Sequence, residues 1–563
     1  MLRRISTLFV LAAAFAAPAH AQGTPLMPGV TYEQTVEFTP HGAVVLNVLT
    51  APKPGDQNGL YQLVPVLARS TVVGGREKVT QIERDVSAQA TVAGINGDLF
   101  SAVDGHPAGI FMSGGVLQHP PIGTRSSIGI DGAGALHVDR VTFFGTWRGT
   151  GQRRSLDGLN QVPAPGQVVL FTPAYGAKVP AIAGSAEAVL APFPATTPNL
   201  DLTATVSSVG ANGGESIPPN GAIIQATGSL AAALRAEAPI GTPVTTRLIL
   251  QPAWTGMLSA LGGGPLLVRN SAPVFRSGED FTNDQIAARS PRAGVGQLAD
   301  GQIILVAVDG GQPGYSVGLT SFELAQTMAR LGAVTASAVE SGPDVTVAFD
   351  GRLLNRPSTG ERAVKEALLV EYFGVYAAPA PLPLLTGELG KTQEQLSYKI
   401  VRPSLVTAEL IGPDNQPHVL EAGVQHDPGS YAFTYTAFDA EGTWHWNITA
   451  TDDLKRTSTI DQTFRYDTTL RGLSAPKLAR GTATVRFTLS RPASVELRIE
   501  TTGGVLVRDV APVTLQAGAQ SVVWDGRLPH GTPAYGGSYV AHVVYTSSVG
   551  TSDLSVPFSF RRS

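Results

Sequence analysis

Cysteine is absent from the 563-residue chain, which excludes disulfides, thiol nucleophiles and thiolate metal sites. Charged residues make up only 15%, and 40 basic against 44 acidic side chains leave a net charge of -4. Without a positive excess the chain lacks the field that holds nucleic acid or an anionic membrane, so no nucleic-acid partner is expected. No later run approaches the roughly 18 apolar residues of a spanning helix, so none is predicted after removal of the leader.

Residues 1–21 have the pattern of a signal peptide. Arg3 and Arg4 precede an apolar run from Leu8 to Ala17, and Ala19-His20-Ala21 supplies the small-x-small cleavage pattern. The run is about half the length that a bilayer requires. We therefore predict cleavage and export, with an uncleaved anchor as the alternative. The composition leaves periplasm, cell surface and extracellular medium open.

The first large domain is predicted over residues 22–380. The chain is rich in turn-forming residues, with 63 Gly and 41 Pro, which favours short strands. Ile303 to Val308 is apolar on both strand faces and is typical of a buried central strand. Thr320-Ser321-Phe322-Glu323 is a capping box that begins a helix, and a second helix is expected from Ser229 to about Ala238. The fold class is therefore α+β, a β-rich mixed-sheet domain with a few helices.

A proline-rich connector at 377–383 ends this domain. After it only strand periodicity remains, as in Val485, Phe487 and Leu489, and two blocks at 385–468 and 469–563 have the size of immunoglobulin-like domains. Both are predicted to be all-β sandwiches. Trp444 and Trp446 share one strand face; we expect core aromatics there in preference to a sugar-binding platform.

Four glycine-containing islands stand out in the large domain, at 94–100, 262–268, 290–296 and 308–311. Taken singly, each is typical of a turn. None forms a phosphate loop, and the chain has neither a nucleophile elbow nor a His-Glu-x-x-His zinc motif.

Taken in order, the islands resemble the phosphodiester glycosidase family from about Gly29 to Tyr376. Asn96-Gly97-Asp98-Leu99-Phe100 is similar to the family's Asn-Gly-Asp-Phe-Phe, and Gly263-Gly264-Pro265-Leu266-Leu267 to its Gly-Gly-x-Pro-Leu-Leu. Pro291-Arg292-Ala293-Gly294-Val295-Gly296 is similar to Pro-Arg-Thr-Ala-x-Gly. The segment from Trp524 to Val540 resembles the immunoglobulin-like domain of flagellar hook-capping proteins, which suggests a spacer or adhesion module.

One loop departs from the family pattern. Where the family continues into Asn-Leu-Asp-Gly-Gly-Gly-Ser-Thr, this chain has Ala338-Val339-Glu340-Ser341-Gly342-Pro343-Asp344-Val345. Glu340 replaces the aspartate, and Pro343 removes a backbone donor where a glycine is expected. The loop therefore cannot follow the family's path unchanged.

The resemblance implies a hydrolase of sugar phosphodiesters. Its oxocarbenium-like transition state needs carboxylates near the sugar C1 and donors for the departing phosphate. The predicted catalytic residues are Asp98, Asp309 and Glu340; the predicted substrate-binding residues are Asn96, Arg292, Gly263, Gly264 and Gly310. No metal ligand and no cofactor are predicted, with a divalent cation left open. If the protein is a hydrolase, we expect Asp309→Asn to lower turnover by orders of magnitude while leaving thermal stability nearly unchanged.

Two function classes compete on the sequence. The first is an exported bacterial hydrolase that acts on sugar phosphodiesters of envelope or extracellular polysaccharide. The second is a catalytically reduced relative that serves as a carbohydrate-binding or envelope structural protein. The expected partners are a glycan or sugar phosphate and, through the immunoglobulin-like domains, components of the cell envelope.

Overall fold

A computed structural model of the protein describes residues 23–55, 59–275, 278–387 and 391–562, so the predicted signal peptide at 1–21 lies outside the described residues. Within those ranges the chain forms two compact units. The first contains residues 23–53, 64–82 and 93–369, and the second contains 54–63, 83–92 and 370–562. The domain boundaries drawn from the sequence at 380 and 468 stay a prediction.

The described residues contain four α-helices and one 3₁₀ turn. They are α1 (Val79–Val86), α2 (Leu230–Glu237), α3 (Asn283–Ala287), α4 (Ser321–Arg330) and the 3₁₀ turn Ala68–Ser70. The predicted capping box of α4 is confirmed, because the Thr320 hydroxyl accepts the Glu323 N–H and the Glu323 carboxylate accepts the Thr320 N–H. Helix α2 falls inside its predicted range. None of the described helices has the length and hydropathy needed to cross a bilayer.

Twenty-eight strands precede the proline-rich connector in the described residues. They are β1 (Thr24–Met27), β2 (Val30–Thr39), β3 (Gly42–Ala51), β4 (Tyr61–Leu67), β5 (Glu77–Lys78), β6 (Thr91–Asn96), β7 (Phe111–Ser113), β8 (Val116–His119), β9 (Ser126–Asp131), β10 (Leu136–Arg140), β11 (Thr142–Arg148), β12 (Arg154–Leu156), β13 (Gly158–Leu159), β14 (Val168–Phe171), β15 (Ala186–Leu190), β16 (Asp201–Ala211), β17 (Ala222–Ala226), β18 (Pro243–Gln251), β19 (Met257–Gly262), β20 (Leu266–Arg269), β21 (Ala272–Pro273), β22 (Arg292–Leu298), β23 (Ile303–Val308), β24 (Ala333–Ala338), β25 (Val347–Phe349), β26 (Arg352–Leu353), β27 (Ala363–Val364) and β28 (Glu366–Tyr372).

These strands form mixed sheets. Two have eight strands, in the orders β1-β2-β3-β23-β22-β24-β20-β21 and β12-β11-β18-β16-β15-β17-β14-β13, and the pair β13 and β14 is parallel. Two have five strands, β10-β9-β19-β7-β8 and β26-β25-β6-β28-β4, and β27 pairs with β5. The predicted α+β class with few helices is confirmed.

The second unit is all β beyond the connector. Its strands are β29 (Leu384–Leu385), β30 (Glu394–Ile400), β31 (Ser404–Ile411), β32 (Pro417–His426), β33 (Gly429–Tyr435), β34 (Gly442–Asp452), β35 (Thr457–Tyr466), β36 (Leu470–Ser474), β37 (Leu478–Arg480), β38 (Ala483–Leu489), β39 (Ala493–Thr501), β40 (Leu506–Leu515), β41 (Gly518–Trp524), β42 (Gly537–Ser547) and β43 (Gly550–Arg561).

These strands make two sandwiches, each with its own apolar core. The first combines β29-β35-β34-β31-β32 with β30-β33, and the second combines β36-β38-β41 with β37-β43-β42-β39-β40. The predicted immunoglobulin-like architecture is confirmed. Trp444 and Trp446 are buried in the first core, which confirms the expectation that they are core aromatics.

The first eight-stranded sheet positions the candidate site. Its central strand β23 is buried along its whole length, as predicted, and α4 packs its apolar residues into the same core. In the antiparallel register, Arg292 at the start of β22 lies opposite Val308 at the end of β23, and Gly294 lies opposite Ala338 at the end of β24. The segments that follow β23 and β24 therefore leave the sheet at one edge, beside the start of β22.

Candidate active site

A cavity of about 260 Å³ brings together four of the eight predicted site residues. Asp98, Arg292, Glu340 and Gly264 line it, together with Phe281 and neighbouring loop residues. Asp309, Asn96, Gly263 and Gly310 are not among its lining residues.

Asp98 follows the fully buried strand β6 and is itself only 2% exposed. Its Oδ1 forms an ion pair with Arg125, whereas its Oδ2 has no hydrogen-bond partner among the described residues. Burial raises the pKa of Asp98, and Arg125 opposes this increase by stabilising the carboxylate. Asp98 thus lines the cavity and keeps one buried acceptor oxygen without a hydrogen-bond partner among the described residues.

Two glycines make room for that oxygen. A Cβ added at Gly262 would lie 2.0 Å from Asp98 Oδ2, and one added at Gly109 would lie 2.7 Å from the same atom. Both distances are shorter than any tolerated contact, so a side chain at either position would displace Asp98.

Glu340 is held at its backbone by the loop that carries Asp98. Its N–H donates to the Gly97 carbonyl at 3.0 Å, and its carbonyl accepts from Asn96 Nδ2 at 3.0 Å. Burial, followed by the nearby carboxyl groups of Asp344 and Asp98, raises the pKa of Glu340 to about 9. Glu340 is therefore protonated at neutral pH, and its Oε2 has no hydrogen-bond partner in the described part of the chain.

Two further ionisable groups, Glu366 and Arg125, belong to this cluster but were not predicted as site residues. Glu366 is fully buried and its Oε1 accepts the Asp98 N–H at 3.1 Å. Burial and the charge of Asp98 raise the pKa of Glu366 to about 8. Glu366 directly precedes the apolar run Ala367 to Val370, and an acidic residue next to such a run was the feature of the sequence that could have indicated a buried carboxyl group. Nothing local indicates that Arg125, 27 residues beyond Asp98, is its ion-pair partner.

Arg292 lines the cavity with most of its guanidinium already engaged. Its Nε, Nη1 and Nη2 donate to the carbonyls of Leu319 (2.9 Å), Gln285 (2.5 Å) and Ala288 (2.6 Å). Burial lowers the pKa of Arg292 to about 10. Since a guanidinium has five N–H groups, one remains on each of Nη1 and Nη2. Arg292 does not present the fully open fork that bidentate binding of phosphate uses.

The side-chain amide of Asn96 forms hydrogen bonds to backbone groups through both its nitrogen and its oxygen. Besides its bond to Glu340, Nδ2 lies 3.3 Å from the Gly97 carbonyl, and Oδ1 accepts the Thr346 N–H at 3.1 Å. These bonds join the Asp98 loop to the Glu340 loop. The geometry accounts for Asn96 as a positioning residue, whereas the sequence predicted it as a substrate-binding residue.

Asp309 is a buried acceptor in a separate network. Its Oδ1 accepts from Asn355 Nδ2 at 2.9 Å, and its Oδ2 accepts from the Tyr315 hydroxyl at 3.1 Å and Asn47 Nδ2 at 3.3 Å. The Arg356 N–H lies 3.2 Å from both oxygens. Asparagine at position 309 would point the N–H groups of its side-chain amide at groups that also donate hydrogen bonds. Because this network uses both acceptor oxygens, the structure favours a loss of stability in Asp309→Asn over the nearly unchanged stability expected from the sequence.

The three predicted glycines shape the backbone around the two networks. The Gly263 carbonyl accepts from Arg125 Nη2 at 3.2 Å, and the Gly264 N–H donates to the Ala338 carbonyl at 2.8 Å. A Cβ at Gly310 would lie 2.9 Å from Gly318 Cα, which explains the small residue there.

No metal-binding set is present in the described ranges. Across residues 23–55, 59–275, 278–387 and 391–562, no three His, Cys, Asp or Glu side chains are placed to hold one ion.

Comparison with known proteins gives matches in two parts of the chain. Residues 200–371 match the phosphodiester glycosidase family, and residues 474–548 match the FlgD Ig-like domain. Arg292, Asp309 and Glu340 lie within the first match, whereas Asp98 lies before it.

Similar proteins share parts of the chain at low identity. The SPbeta prophage-derived uncharacterized protein YomE of Bacillus subtilis (strain 168) is 29% identical over 118 residues, which are 21% of this chain and 18% of that protein. A hypothetical protein from Synechocystis has a TM-score of 0.51 and 24% identity, over 61% of this chain and 62% of that one, which shows a shared fold. The catalytic domain of zebrafish N-acetylglucosamine-1-phosphodiester alpha-N-acetylglucosaminidase has a TM-score of 0.33 and 13% identity, over 64% of this chain and 86% of that one.

The chain covers less than two thirds of the length of both YomE and the Synechocystis protein. The family resemblance seen in the sequence is nevertheless confirmed: residues 200–371 carry a phosphodiester glycosidase match and residues 474–548 carry an FlgD Ig-like match.

Proposed function

We propose that this protein is an exported glycosidase-type hydrolase that cleaves sugar phosphodiesters of bacterial envelope or extracellular polysaccharide. The observation that carries the proposal is that Asp98 and Glu340, two carboxyl groups in different electrostatic environments, line one cavity. The phosphodiester glycosidase match supports the reaction class.

The environments of the two carboxyl groups give them different roles. Arg125 is buried and permanently charged, so its ion-pair partner Asp98 is the carboxylate of the pair. Glu340 forms no ion pair among the described residues and is the protonated acid. Burial raises the pKa of both groups, and the Arg125 ion pair stabilises the carboxylate form of Asp98 alone. A carboxylate beside a carboxylic acid is the usual acid/base arrangement of glycoside hydrolysis.

The proposed reaction breaks the bond between the sugar C1 and the phosphate oxygen. The bonding electrons leave with the phosphate, while Glu340 donates its proton to that oxygen. Asp98 stabilises the positive charge that develops at C1, and a water oxygen forms the new bond to C1 as its proton passes to a carboxylate. The products are a free sugar and a phosphate monoester, so atoms and charge balance.

Arg292 supplies donors for the departing phosphate in this scheme. Its remaining N–H groups on Nη1 and Nη2 can each bind one oxygen, while its three backbone bonds hold it in place. A phosphate leaving group needs less stabilisation than an alkoxide. The two N–H groups that Arg292 has left are therefore enough in this scheme.

The test is release of reducing sugar from aryl- and nucleotide-linked sugar phosphodiesters by the purified protein. We expect Asp98→Asn to lower kcat by about 10² to 10⁴, because the carboxylate acts in the transition state. Asp300→Asn, in an exposed turn of the same unit, is the matched control and should retain the wild-type rate. A wild-type rate in Asp98→Asn would remove Asp98 from the mechanism.

A second candidate, a catalytically reduced glycan-binding protein, is favoured by one observation. Asp309 and Asn96, which the sequence placed in the site, are both committed to internal hydrogen bonds. Absence of sugar release from every phosphodiester, together with measurable glycan binding, would support this candidate instead.

Export is part of the proposal and rests on the sequence of residues 1–21. Expression of the full chain in a bacterial host, followed by N-terminal sequencing of the protein outside the cytoplasm, should give a mature start at Gln22. Retention of Met1 on cytoplasmic protein would contradict export.

A further inference from the structure

The two sandwiches of the second unit are connected by only three residues. Strand β35 of the first sandwich ends at Tyr466, and strand β36 of the second begins at Leu470. We define the three residues between them, Asp467, Thr468 and Thr469, as the joint. Tyr466 is buried in the first core and Leu470 in the second, so apolar packing fixes both ends of the joint.

Asp467 is 0% exposed and forms hydrogen bonds to both sandwiches. Its N–H donates to the Leu385 carbonyl on β29 at 2.9 Å, and its Oδ2 accepts from the Ser552 hydroxyl on β43 at 2.9 Å. Within the joint, its Oδ1 accepts the Thr469 N–H at 2.9 Å. Arg465 Nε lies 4.0 Å from Oδ2 and supplies a positive charge beside it. A bend at the joint would break the bond to Ser552, which a buried acceptor loses at a cost.

Glu441 connects the first sandwich to the joint and to the second sandwich. It directly precedes β34, and its Oε1 accepts the Thr468 N–H at 2.6 Å as well as the Thr468 hydroxyl. Its Oε2 forms an ion pair with Arg491, which lies between β38 and β39 of the second sandwich. Burial opposes ionisation of Glu441, but the hydrogen bonds from Thr468 and Arg491 outweigh it and lower the pKa of Glu441. At neutral pH a charged bond therefore joins the two sandwiches.

Two further contacts with the second sandwich are made by Thr469 and Arg465. Thr469 is 0% exposed; its carbonyl accepts the Ser490 N–H at 2.8 Å, and its hydroxyl shares a hydrogen bond of 3.0 Å with the Ser547 hydroxyl. Arg465, on β35 of the first sandwich, donates through Nη2 to the Val549 carbonyl in the turn between β42 and β43. The joint is thus tied to protein groups, in contrast to a flexible linker, which behaves as a random coil.

Domains that share a short linker move relative to one another unless the contacts between them prevent it. We propose that the joint is rigid, so that the two sandwiches keep one fixed orientation in solution. A bend would break bonds that Asp467, Glu441 and Arg465 each make to the second sandwich. The sequence suggested a spacer or adhesion module in this part of the chain, and a rigid pair supplies the fixed distance that a spacer requires. This inference does not rest on the proposed reaction.

The absence of cysteine allows a direct test by double electron–electron resonance on the full chain. Ala422→Cys on β32 and Ala519→Cys on β41 are both at exposed positions and place one nitroxide label on each sandwich. We expect a single narrow distribution of distances between the labels. Replacing both Asp467 and Glu441 by alanine should make that distribution about twice as wide, because the sandwiches then move on a free linker.

Asp461→Ala combined with Asp553→Ala is the matched control. It removes two exposed carboxyl groups, one on each sandwich and neither at the joint, and should leave the distribution narrow. A wide distribution without substitutions at the joint, or equal widths in the joint variant and the control, would overturn the inference.

Circular dichroism reports whether the double variant of the joint folds. If it does not, Arg491→Ala decides the question, because it removes the ion pair with Glu441 and leaves the joint itself intact. We expect a wider distribution in Arg491→Ala, and an unchanged width would then overturn the inference. No substrate enters the measurement, so the outcome is independent of the proposed hydrolysis.

Discussion

Replacing Glu340 by glutamine should make the first unit less sensitive to pH. The carboxyl group is 8% exposed, and its surroundings raise its pKa from 4.5 to about 9. The folded state therefore keeps the proton over a range in which the unfolded chain releases it. The raised pKa of Glu340 contributes its full stabilisation when the pH is below the pKa of the unfolded state. That stabilisation is lost as the pH rises toward the pKa of the folded state.

The magnitude follows from one proton. Each pH unit between the two pKa values lowers the free energy of unfolding by about 1.4 kcal/mol, so the fold loses about 3 kcal/mol between roughly pH 6 and pH 8. Glutamine has the same shape and no titration, so Glu340→Gln should remove that part of the pH dependence. The variant should also be more stable than the wild type at about pH 8.

Native-state hydrogen exchange of peptides from β22 and β23 measures the free energy of unfolding of the first unit. Glu33→Gln, at an exposed position on β2, is the matched control and should retain the wild-type pH dependence. Parallel curves for the wild type and Glu340→Gln would refute the protonated state of Glu340 and, with it, its role as the acid.

Three further substitutions separate positioning from chemistry. Asp309→Asn should lower the free energy of unfolding by about 2 kcal/mol, because it places a donor among donors; unchanged urea unfolding would contradict the network. Gly262→Ala should lower the rate of diester hydrolysis about a hundredfold by displacing Asp98, while Gly132→Ala, where a Cβ meets nothing closer than 3.9 Å, should not; equal rates would contradict the close packing. Arg292→Lys should speed amide exchange in the α3 peptide, since the single nitrogen of lysine does not reproduce the planar fork whose three nitrogens each bind one carbonyl; unchanged exchange would contradict that role.

The elements with local signals could be predicted from the sequence. The apolar run of β23 fixes a strand buried on both faces, and the capping box fixes the start of α4, because each depends on neighbours within a few residues. Helix α3 was missed because none of its five residues is buried, so it carries no apolar periodicity.

The candidate site was only partly predictable because its hydrogen-bond partners are distant in sequence. Asp98 and Glu340 were found through family resemblance and do line one cavity. One of the groups that donate a hydrogen bond to Asp309 Oδ2 is the side-chain amide of Asn47, which is 262 residues away in the sequence. No pattern in the sequence links these two residues. The residue type therefore identified Asp309 as a candidate acid. Only the fold shows that both of its carboxylate oxygens accept hydrogen bonds from other groups of the protein.

Hydrolysis in water enriched in ¹⁸O tests the central claim most directly, because the label reports which bond breaks. With a sugar phosphodiester as substrate and mass spectrometry of both products, attack at C1 places ¹⁸O in the anomeric hydroxyl of the released sugar and none in the phosphate monoester. That result, lost in Asp98→Asn, is the one expected. Label in the phosphate, or no release of sugar from any diester, would contradict it.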